Sequence, residues 1–141
     1  MNLFVDTMAY SAFVRGEEWA VRRIESAELA GLPIIVMGEL HAGFEATAKK
    51  AKNEHKLIEF LNRPGVDVYY LDDETARVYG TFFQHLRRAG TPIPLNDIWI
   101  AALTHQHSRI LLTRDKHFRH LPQIVTIGDL EVLEGFPHAG Q

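Results

Sequence analysis

Short apolar runs that alternate with segments of helical period are the feature that most restricts the fold of this chain. Five such runs have the length of a strand and are rich in β-branched residues: 3–5, 34–37, 66–71, 110–113 and 124–127. They are mostly continuous rather than alternating, as in the strands of a parallel sheet that is covered on both faces. The sequence therefore predicts an α/β sandwich of three layers, with a central, mainly parallel sheet of about five strands.

The segments between these runs place apolar residues at helical spacing and have recognisable ends. They predict helices over residues 17–30, 39–50, 54–62, 74–89 and 98–107. The first of these would end at Gly31, because glycine is a natural C-cap. Asp72 and Asp73 are interpreted as caps of the 74–89 helix. The residues after Gly128 predict an appendage at the sheet edge, so we expect one domain over residues 1–141.

Composition excludes several classes of protein. The chain has no cysteine, which excludes disulfides, thiolate metal sites and cysteine nucleophiles. No apolar run approaches the ~18 residues of a membrane span, and the first residues do not have the pattern of a signal peptide, so we expect a cytoplasmic protein. The net charge of −3 argues mildly against a nucleic-acid partner. That objection weakens if several carboxylates are neutralised by metal.

Four acidic residues fall where a parallel sheet places its ligand site. Asp6 follows the first predicted strand, Glu39 lies two residues beyond the second, and Asp115 follows the fourth, after Thr113. Asp97 opens the helix that leads to the fourth strand. Ligands of open α/β sheets bind beyond the carboxyl ends of the strands, near the point where strand order reverses. If the first, second and fourth strands are neighbours, three of these acids converge, and Asp97 can join them from a helix N-terminus.

Capping offers a second explanation for each acid taken alone, because Asp and Asn are common before helices and after strands. Carboxylates that do converge repel one another and need a cation. Ligand sets made of oxygen select hard ions such as Mg²⁺ or Mn²⁺. Two such ions, about 4 Å apart, can activate a water and stabilise the leaving oxygen of a phosphodiester. The pattern is therefore suggestive of metal-dependent phosphodiester hydrolysis.

Four segments of the chain resemble PIN-domain nucleases: 4–7 (FVDT), 38–43 (GELHAG), 94–102 (PLNDIWIAA) and 111–118 (LLTRDKHF). Their order and spacing are most similar to the VapC-type toxins of bacterial and archaeal toxin–antitoxin modules, over residues 2–133. The resemblance implies a PIN fold and cleavage of RNA with one or two Mg²⁺ or Mn²⁺ ions. It also implies a homodimer, and a small antitoxin partner that we expect to insert a cationic residue near the acidic site. It assigns that site, as catalytic and metal-binding residues, to Asp6, Glu39, Asp97 and Asp115, with Thr113 as a supporting hydroxyl.

Three other functions share some of these sequence features. A receiver-type signalling domain has a similar architecture, but it needs an acidic pair after the first strand and a Lys after the last. Asp6-Thr7 provides no such pair, and no Lys follows Ile127. A phosphatase with an Asp-x-Asp nucleophile is excluded because position 8 is Met8. The remaining alternative is a catalytically inactive PIN-fold binding module, against which four intact acids argue.

Eight histidines raise the question of a zinc site. His105 and His107 face different sides of a predicted helix, while His117 and His120 are three residues apart near a loop. Without cysteines or an evident ligand set, we interpret most of the histidines as surface or amphipathic residues. Trp99 could stack on a nucleic-acid base, but packing of its helix is the favoured interpretation.

Overall fold

The structure is a computed structural model and describes residues 1–128. The elements, in chain order, are β1 (Asn2–Val5), α1 (Thr7–Val14), α2 (Glu18–Ser26), β2 (Leu29–Pro33), α3 (Ile34–Glu45), α4 (Lys50–Leu61), β3 (Val66–Tyr69), α5 (Asp73–Ala89), α6 (Leu95–Gln106), β4 (Ile110–Leu112), a 3₁₀ helix (Lys116–His120) and β5 (Val125–Ile127). The expected appendage after Gly128, and the end of the single domain expected over 1–141, lie outside the described residues.

The five strands form one parallel sheet in the order β3-β2-β1-β4-β5. Leu3 in β1 lies opposite Ala30 in β2 on one side and opposite Ile110 in β4 on the other. The chain moves outward from β1 to β3 and then returns across the sheet to β4. Right-handed crossovers therefore place α1 to α4 on one face and α5 and α6 on the other. The expected α/β three-layer architecture, with neighbouring first, second and fourth strands, is confirmed.

The centre of the sheet is also the centre of the hydrophobic core. Leu3, Phe4 and Val5 of β1 are fully buried, as are Leu111 and Leu112 of β4. Both faces of these strands are covered, which is why consecutive residues of each strand are apolar. The runs that predicted β1, β3, β4 and β5 are confirmed, with changes of one or two residues at their ends.

The prediction of a strand over residues 34–37 is wrong, because these residues form the first turn of α3. The second strand is instead Leu29–Pro33, whose Ala and Gly residues have little intrinsic preference for a strand. An apolar run of four residues is compatible with a buried helix as well as with a strand. Tertiary packing decides which segment forms the second strand. Gly31 lies beside the rings of Phe4 and Tyr69, and the absence of a side chain leaves room for them.

The position of the second strand at Leu29–Pro33, and not at 34–37, also changes the helices on either side of it. The predicted 17–30 helix ends at Ser26, so Gly31 is a strand residue and not a C-cap. The helix α1, directly after β1, was not predicted. The expected hairpin over 39–62 is present as α3 and α4, and the helices expected over 74–89 and 98–107 are present as α5 and α6. Asp72 caps α5 by accepting the Thr75 N–H, whereas Asp73 is the first residue of that helix.

Among the helices of residues 1–128, none combines the length and the apolar character that a membrane-spanning segment requires. The stacking of Trp99 on Tyr79, with ring centroids 4.0 Å apart, joins α6 to α5. This contact confirms the interpretation of Trp99 as a packing residue.

Gly31 gives a test of this fold. A Cβ at this position would lie 2.5 Å from the ring of Phe4, which is fully buried and has no free space to move into. Gly31→Ala should therefore lower the free energy of unfolding by about 1–3 kcal/mol, measured by urea denaturation. Gly80→Ala is the matched control, since no described atom lies within 4 Å of its added methyl group. That change should raise stability by about 0.5–1 kcal/mol through helix propensity, and equal stability of the two variants would contradict this packing.

Candidate active site

Asp6 lies at the carboxyl end of β1 and begins α1. Its Oδ1 accepts the backbone N–H of Ala9 at 2.7 Å, so it is the N-cap of this helix. Its own backbone N–H donates to the carbonyl of Leu112 in β4 at 3.3 Å. Only 5% of Asp6 is exposed. Capping therefore accounts for one oxygen of Asp6 but not for the burial of a carboxylate beside other acids.

The surroundings of Asp6 disfavour its negative charge. Burial raises the pKa of Asp6 from its ordinary value of 3.8 to about 6. Hydrogen bonds from the Thr113 hydroxyl and the Ala9 N–H oppose this rise, and the charges of Asp115 and Asp97 add to it. A positive charge beside such a carboxyl group would stabilise its anionic form.

The loop after β4 carries the next part of the site. Thr113 is buried, and its Oγ1 accepts the backbone N–H of Asp115 at 2.9 Å. Asp115 Oδ1 in turn accepts the N–H of His117 at 2.9 Å and so begins the 3₁₀ helix. Thr113 itself donates its backbone N–H to Ile127 of β5 at 2.9 Å. These bonds hold Thr113 and Asp115 against the edge of the sheet.

Asp97 lies in the first turn of α6 and is 9% exposed. Its Oδ2 lies 2.9 Å from Nδ1 of His117, and the same nitrogen lies 3.1 Å from Oδ1 of Asp115. Burial raises the pKa of Asp97, although the hydrogen bond with His117 acts against this rise. The same hydrogen bond raises the pKa of His117, which favours its cationic form between the two carboxylates.

Glu39 reaches the site by a different route from the one expected. It lies in the second turn of α3 and not two residues beyond a strand. Its Oε1 accepts a hydrogen bond from the Thr7 hydroxyl at 2.7 Å, next to Asp6. The charge of Glu39 also contributes to the raised pKa of Asp97. Glu39 thus faces the same cluster of acids from the helix instead of from the sheet edge.

The structure brings all five sequence-predicted site residues to one region, at the carboxyl edge of β1 and β4. Strand order reverses at these two strands, so this region is the switch point of the sheet. The contacts of His117 are the feature that the sequence does not predict: its side chain is exposed, as expected of a surface histidine, but it also contacts two of the acids. Its position two residues after Asp115, in the segment 111–118, was the available signal.

The donor atoms of this region fit a divalent cation. Asp97, Asp115 and His117 each offer one ligand atom, and these atoms all lie within 4.8 Å of one another. Asp6 adds a buried carboxylate whose pKa is raised by its burial and, to a lesser extent, by the charges of Asp115 and Asp97. Carboxylates that are this close are stabilised by a bound cation, and their oxygens match hard ions such as Mg²⁺ or Mn²⁺.

Arg114 fixes the loop between Thr113 and Asp115. Its guanidinium lies over the ring of Trp19 at 4.2 Å, and its Nε donates to the carbonyl of Gly128 at 2.8 Å. Both partners of Arg114 belong to other elements, so this side chain joins the loop to α2 and to the end of β5. The observed contacts of the Arg114 guanidinium are therefore with α2 and the end of β5.

A parallel three-layer α/β domain with buried carboxylates gathered at its switch point defines the class of this protein. The family model for the PIN domain matches residues 3–124. The match covers most of the chain, which therefore belongs to the PIN domain family.

Sequence relatives and solved structures agree with this assignment. Ribonuclease VapC5 of Mycobacterium tuberculosis is 24% identical over 99 residues, which are 70% of this chain and 73% of the relative. Ribonuclease VapC2 of Rickettsia felis is 29% identical over 92 residues, 64% of this chain and 67% of the relative. The crystal structure of VapBC2 from Rickettsia felis bound to a promoter DNA fragment contains a chain of the same fold. It has a TM-score of 0.79 at 22% identity and covers 90% of this chain and 98% of that one.

The raised pKa of Asp6 predicts a pH-dependent stability in the metal-free protein. A carboxyl group whose pKa is raised by folding contributes stability at pH values below the pKa that it has in the unfolded chain. This contribution is lost as the pH rises through the pKa of the folded state. The loss due to Asp6 should occur between about pH 4 and pH 7 and reach at most about 3 kcal/mol. Asp6→Asn retains the oxygen that caps Ala9 but removes the charge. In EDTA the variant should be more stable than the wild type at pH 7.5, by a difference that narrows towards pH 4 in urea denaturation.

Asp73→Asn is the matched control for this experiment, since Asp73 is an exposed acid in the first turn of α5, outside the cluster. The stability difference between this variant and the wild type should not widen between pH 4 and pH 7.5. A difference for Asp6→Asn that stays constant over this range would contradict the assignment of a raised pKa.

Proposed function

We propose that this chain is a metal-dependent endoribonuclease that acts as the toxin of a toxin–antitoxin pair. The observation that carries the proposal is the convergence of Asp6, Glu39, Asp97 and Asp115 at the switch point of the sheet. The names of the relatives support the reaction, since those with matching sequence are ribonucleases. A receiver-like signalling domain or an inactive binding module is not favoured by these relatives. An enzyme that cuts RNA acts where RNA is, so the proposal includes a cytoplasmic location.

Each residue of the site has a distinct part in this proposal. Asp6 and Asp97 are the principal metal ligands because they are the most buried of the four acids. Glu39 and Asp115 complete the ligand set. When bound, Mg²⁺ or Mn²⁺, as one ion or two, would lower the pKa of a water and neutralise charge on the scissile phosphate.

The remaining side chains hold the ligands in place. The Thr113 hydroxyl accepts the Asp115 N–H and donates to Asp6, which links the acids that follow β4 and β1. Thr7 orients Glu39 by donating to its Oε1. His117, hydrogen-bonded to both Asp97 and Asp115, limits the repulsion between them and is a positioning residue. Preorganised ligands of this kind reduce the reorganisation that catalysis requires.

Cleavage of RNA by the purified chain tests the proposal. With Mg²⁺ or Mn²⁺, a labelled RNA should be cut, and EDTA should stop the reaction. Asp6→Asn and Asp97→Asn keep the shape of the side chain but remove one charge each, and each should reduce the rate by at least about two orders of magnitude. Both variants should still fold, as measured by circular dichroism and urea denaturation.

Asp73→Asn is again the control and should cut RNA at close to the wild-type rate, because Asp73 lies at the start of α5 and outside the acidic cluster. Cleavage that continues undiminished in EDTA would refute metal dependence. Full activity of Asp6→Asn would refute the assignment of the principal ligands.

The proposal includes a small antitoxin protein as partner. It is supported by solved structures that share this fold, among them VapBC2 of Rickettsia felis, VapBC of Salmonella typhimurium and FitAB, each bound to DNA. A cluster of four carboxylates is a natural target for a cationic side chain. An Arg of the partner could pair with two carboxylate oxygens and compete with metal, since guanidinium binds carboxylates through two parallel hydrogen bonds.

Expression in bacterial cells tests the role of toxin. The wild-type chain alone should arrest growth, and Asp6→Asn, produced at the same level, should not. Co-expression with a cognate antitoxin should restore growth, and replacement of the antitoxin residue that contacts the acids should abolish this rescue. Normal growth of cells that accumulate active wild-type protein without a partner would refute the toxin role and leave the nuclease chemistry intact.

A homodimer is the last part of the proposal. An apolar cleft of about 270 Å³ between α5 and α6 supports it, because this cleft includes Phe83, Ile93 and the exposed side chain of Leu95. Apolar surface of this kind is stabilised by burial against another chain. Sedimentation equilibrium of the purified chain should give twice the mass of the monomer, and Leu95→Glu should give the monomer mass.

A further inference from the structure

The ring of His117 lies against the acidic cluster, at its open side. His117 belongs to the 3₁₀ helix Lys116–His120, which Asp115 caps. The Oδ1 atom of Asp115 accepts the backbone N–H of His117 at 2.9 Å and also lies 3.1 Å from Nδ1 of the His117 ring. The ring is therefore folded back over the acid that caps its own helix, with Nδ1 directed at the carboxylates.

The distances around Nδ1 of His117 are those between neighbouring ligand atoms of a metal ion. This nitrogen lies 2.9 Å from Oδ2 of Asp97 and 3.1 Å from Oδ1 of Asp115. An octahedral ion with bonds of about 2.1 Å holds ligand atoms that are at right angles about 3 Å apart. The ligand atoms that the three residues offer all lie within 4.8 Å of one another. The ring and the two carboxylates are therefore already spaced as ligands of one ion.

A metal ion can take the place of the hydrogen bond that Nδ1 of His117 makes with the acids. A metal ion and a proton compete for such a nitrogen, so an ion that binds replaces the proton. The side chain of His117 is 48% exposed, whereas that of Asp97 is 12% exposed. Solvent and ions thus have access to the ring, and the ring can change from a hydrogen-bond donor into a ligand.

An imidazole nitrogen changes which ion a site prefers. Mg²⁺ is a hard ion that takes oxygen ligands. First-row transition ions, among them Mn²⁺, also accept imidazole nitrogen, and their affinity for such ligands rises along the series. The four acids alone offer only oxygen, which suits Mg²⁺ and Mn²⁺ alike. The nitrogen of His117 is therefore the feature of this cluster that discriminates between the two kinds of ion.

We propose that Nδ1 of His117 is a direct ligand of the bound ion, beside Asp97 and Asp115, and makes the site select a first-row transition ion over Mg²⁺. This inference deepens the proposed function and rests on it in one respect: the ion is the divalent cation proposed for the nuclease. In the metal-free protein, His117 keeps its contacts with the two acids. When the ion binds, the same ring adds one nitrogen to the ligand set.

Pulsed electron paramagnetic resonance of bound Mn²⁺ is the direct test, because a nitrogen bonded to this ion couples to its electron spin. The full chain is loaded with Mn²⁺ without RNA, so that the result does not depend on cleavage. The wild type should show the coupling of a bound nitrogen, and labelling of the histidines with ¹⁵N should change it. His117→Gln, which offers oxygen in place of nitrogen, should bind Mn²⁺ without this coupling. Bound Mn²⁺ without nitrogen coupling in the wild type, or unchanged coupling in His117→Gln, would overturn the proposal.

Calorimetric titration with Mn²⁺ and with Mg²⁺ separates ligation from positioning. His117→Gln should weaken Mn²⁺ binding at least about tenfold and Mg²⁺ binding less than about threefold, because only Mn²⁺ loses a favoured donor. An equal loss for both ions would mean that His117 only positions the acids, and would overturn the proposal. His120→Gln is the matched control, since His120 is an exposed histidine of the same 3₁₀ helix outside the ligand cluster. This variant should bind both ions as the wild type does.

Failure of the proposed function would give a different result from failure of this inference. If Mn²⁺ binds through nitrogen but the chain does not cut RNA in a separate assay with metal, the nuclease is refuted and the assignment of His117 stands. If RNA is cut while Mn²⁺ is bound by oxygen alone, the assignment of His117 is refuted and the nuclease stands. Absence of Mn²⁺ binding to the wild-type chain would overturn both.

Discussion

The parallel pairing of β1 with β2 on one side and with β4 on the other is the constraint on which the rest of the molecule depends. It fixes Asp6 and Thr113 at the same edge of the sheet, since parallel neighbours end side by side. It also buries β1 on both faces, which makes this strand the centre of the hydrophobic core. The site is therefore built on the most firmly packed part of the chain, and its acids are held by elements that cannot easily move.

Stability and function oppose each other at this edge. Asp6 and Asp97 are buried near two other carboxylates, and burial raises the pKa of both. The structure compensates in part through the Ala9 N–H, the Thr113 hydroxyl and the ring of His117. A bound cation would relieve the repulsion that remains, because like charges in a poorly solvated region favour the binding of opposite charge. The positions of these acids destabilise the metal-free fold but would suit a bound metal ion.

Two surfaces with different chemistry follow from this arrangement. The acidic cluster is anionic, and it would be stabilised by a cation, whether a metal ion or a side chain of another protein. A cleft between α1 and α4 is lined by aromatic side chains, including Tyr10 and Phe60, and by charged ones, including Lys56, Glu59 and Arg63. Because α1 begins at Asp6 and carries Tyr10 one turn later, the two surfaces share a helix.

Sequence alone determined the fold class and the positions of Asp6 and Asp115 after strands, because both depend on local patterns. Continuous apolar runs indicate strands covered on both faces, and an acid after such a run lies at the carboxyl edge whatever the strand order. Only the tertiary structure decided which segment became β2, since Gly31 is selected by the ring of Phe4 across the sheet and not by its neighbours in sequence. The same holds for Glu39, which approaches Thr7 from α3, and for His117, which lies between Asp97 and Asp115. Apart from the contact of His117 with Asp115, these contacts join residues that are far apart in the chain, so local sequence patterns do not specify them.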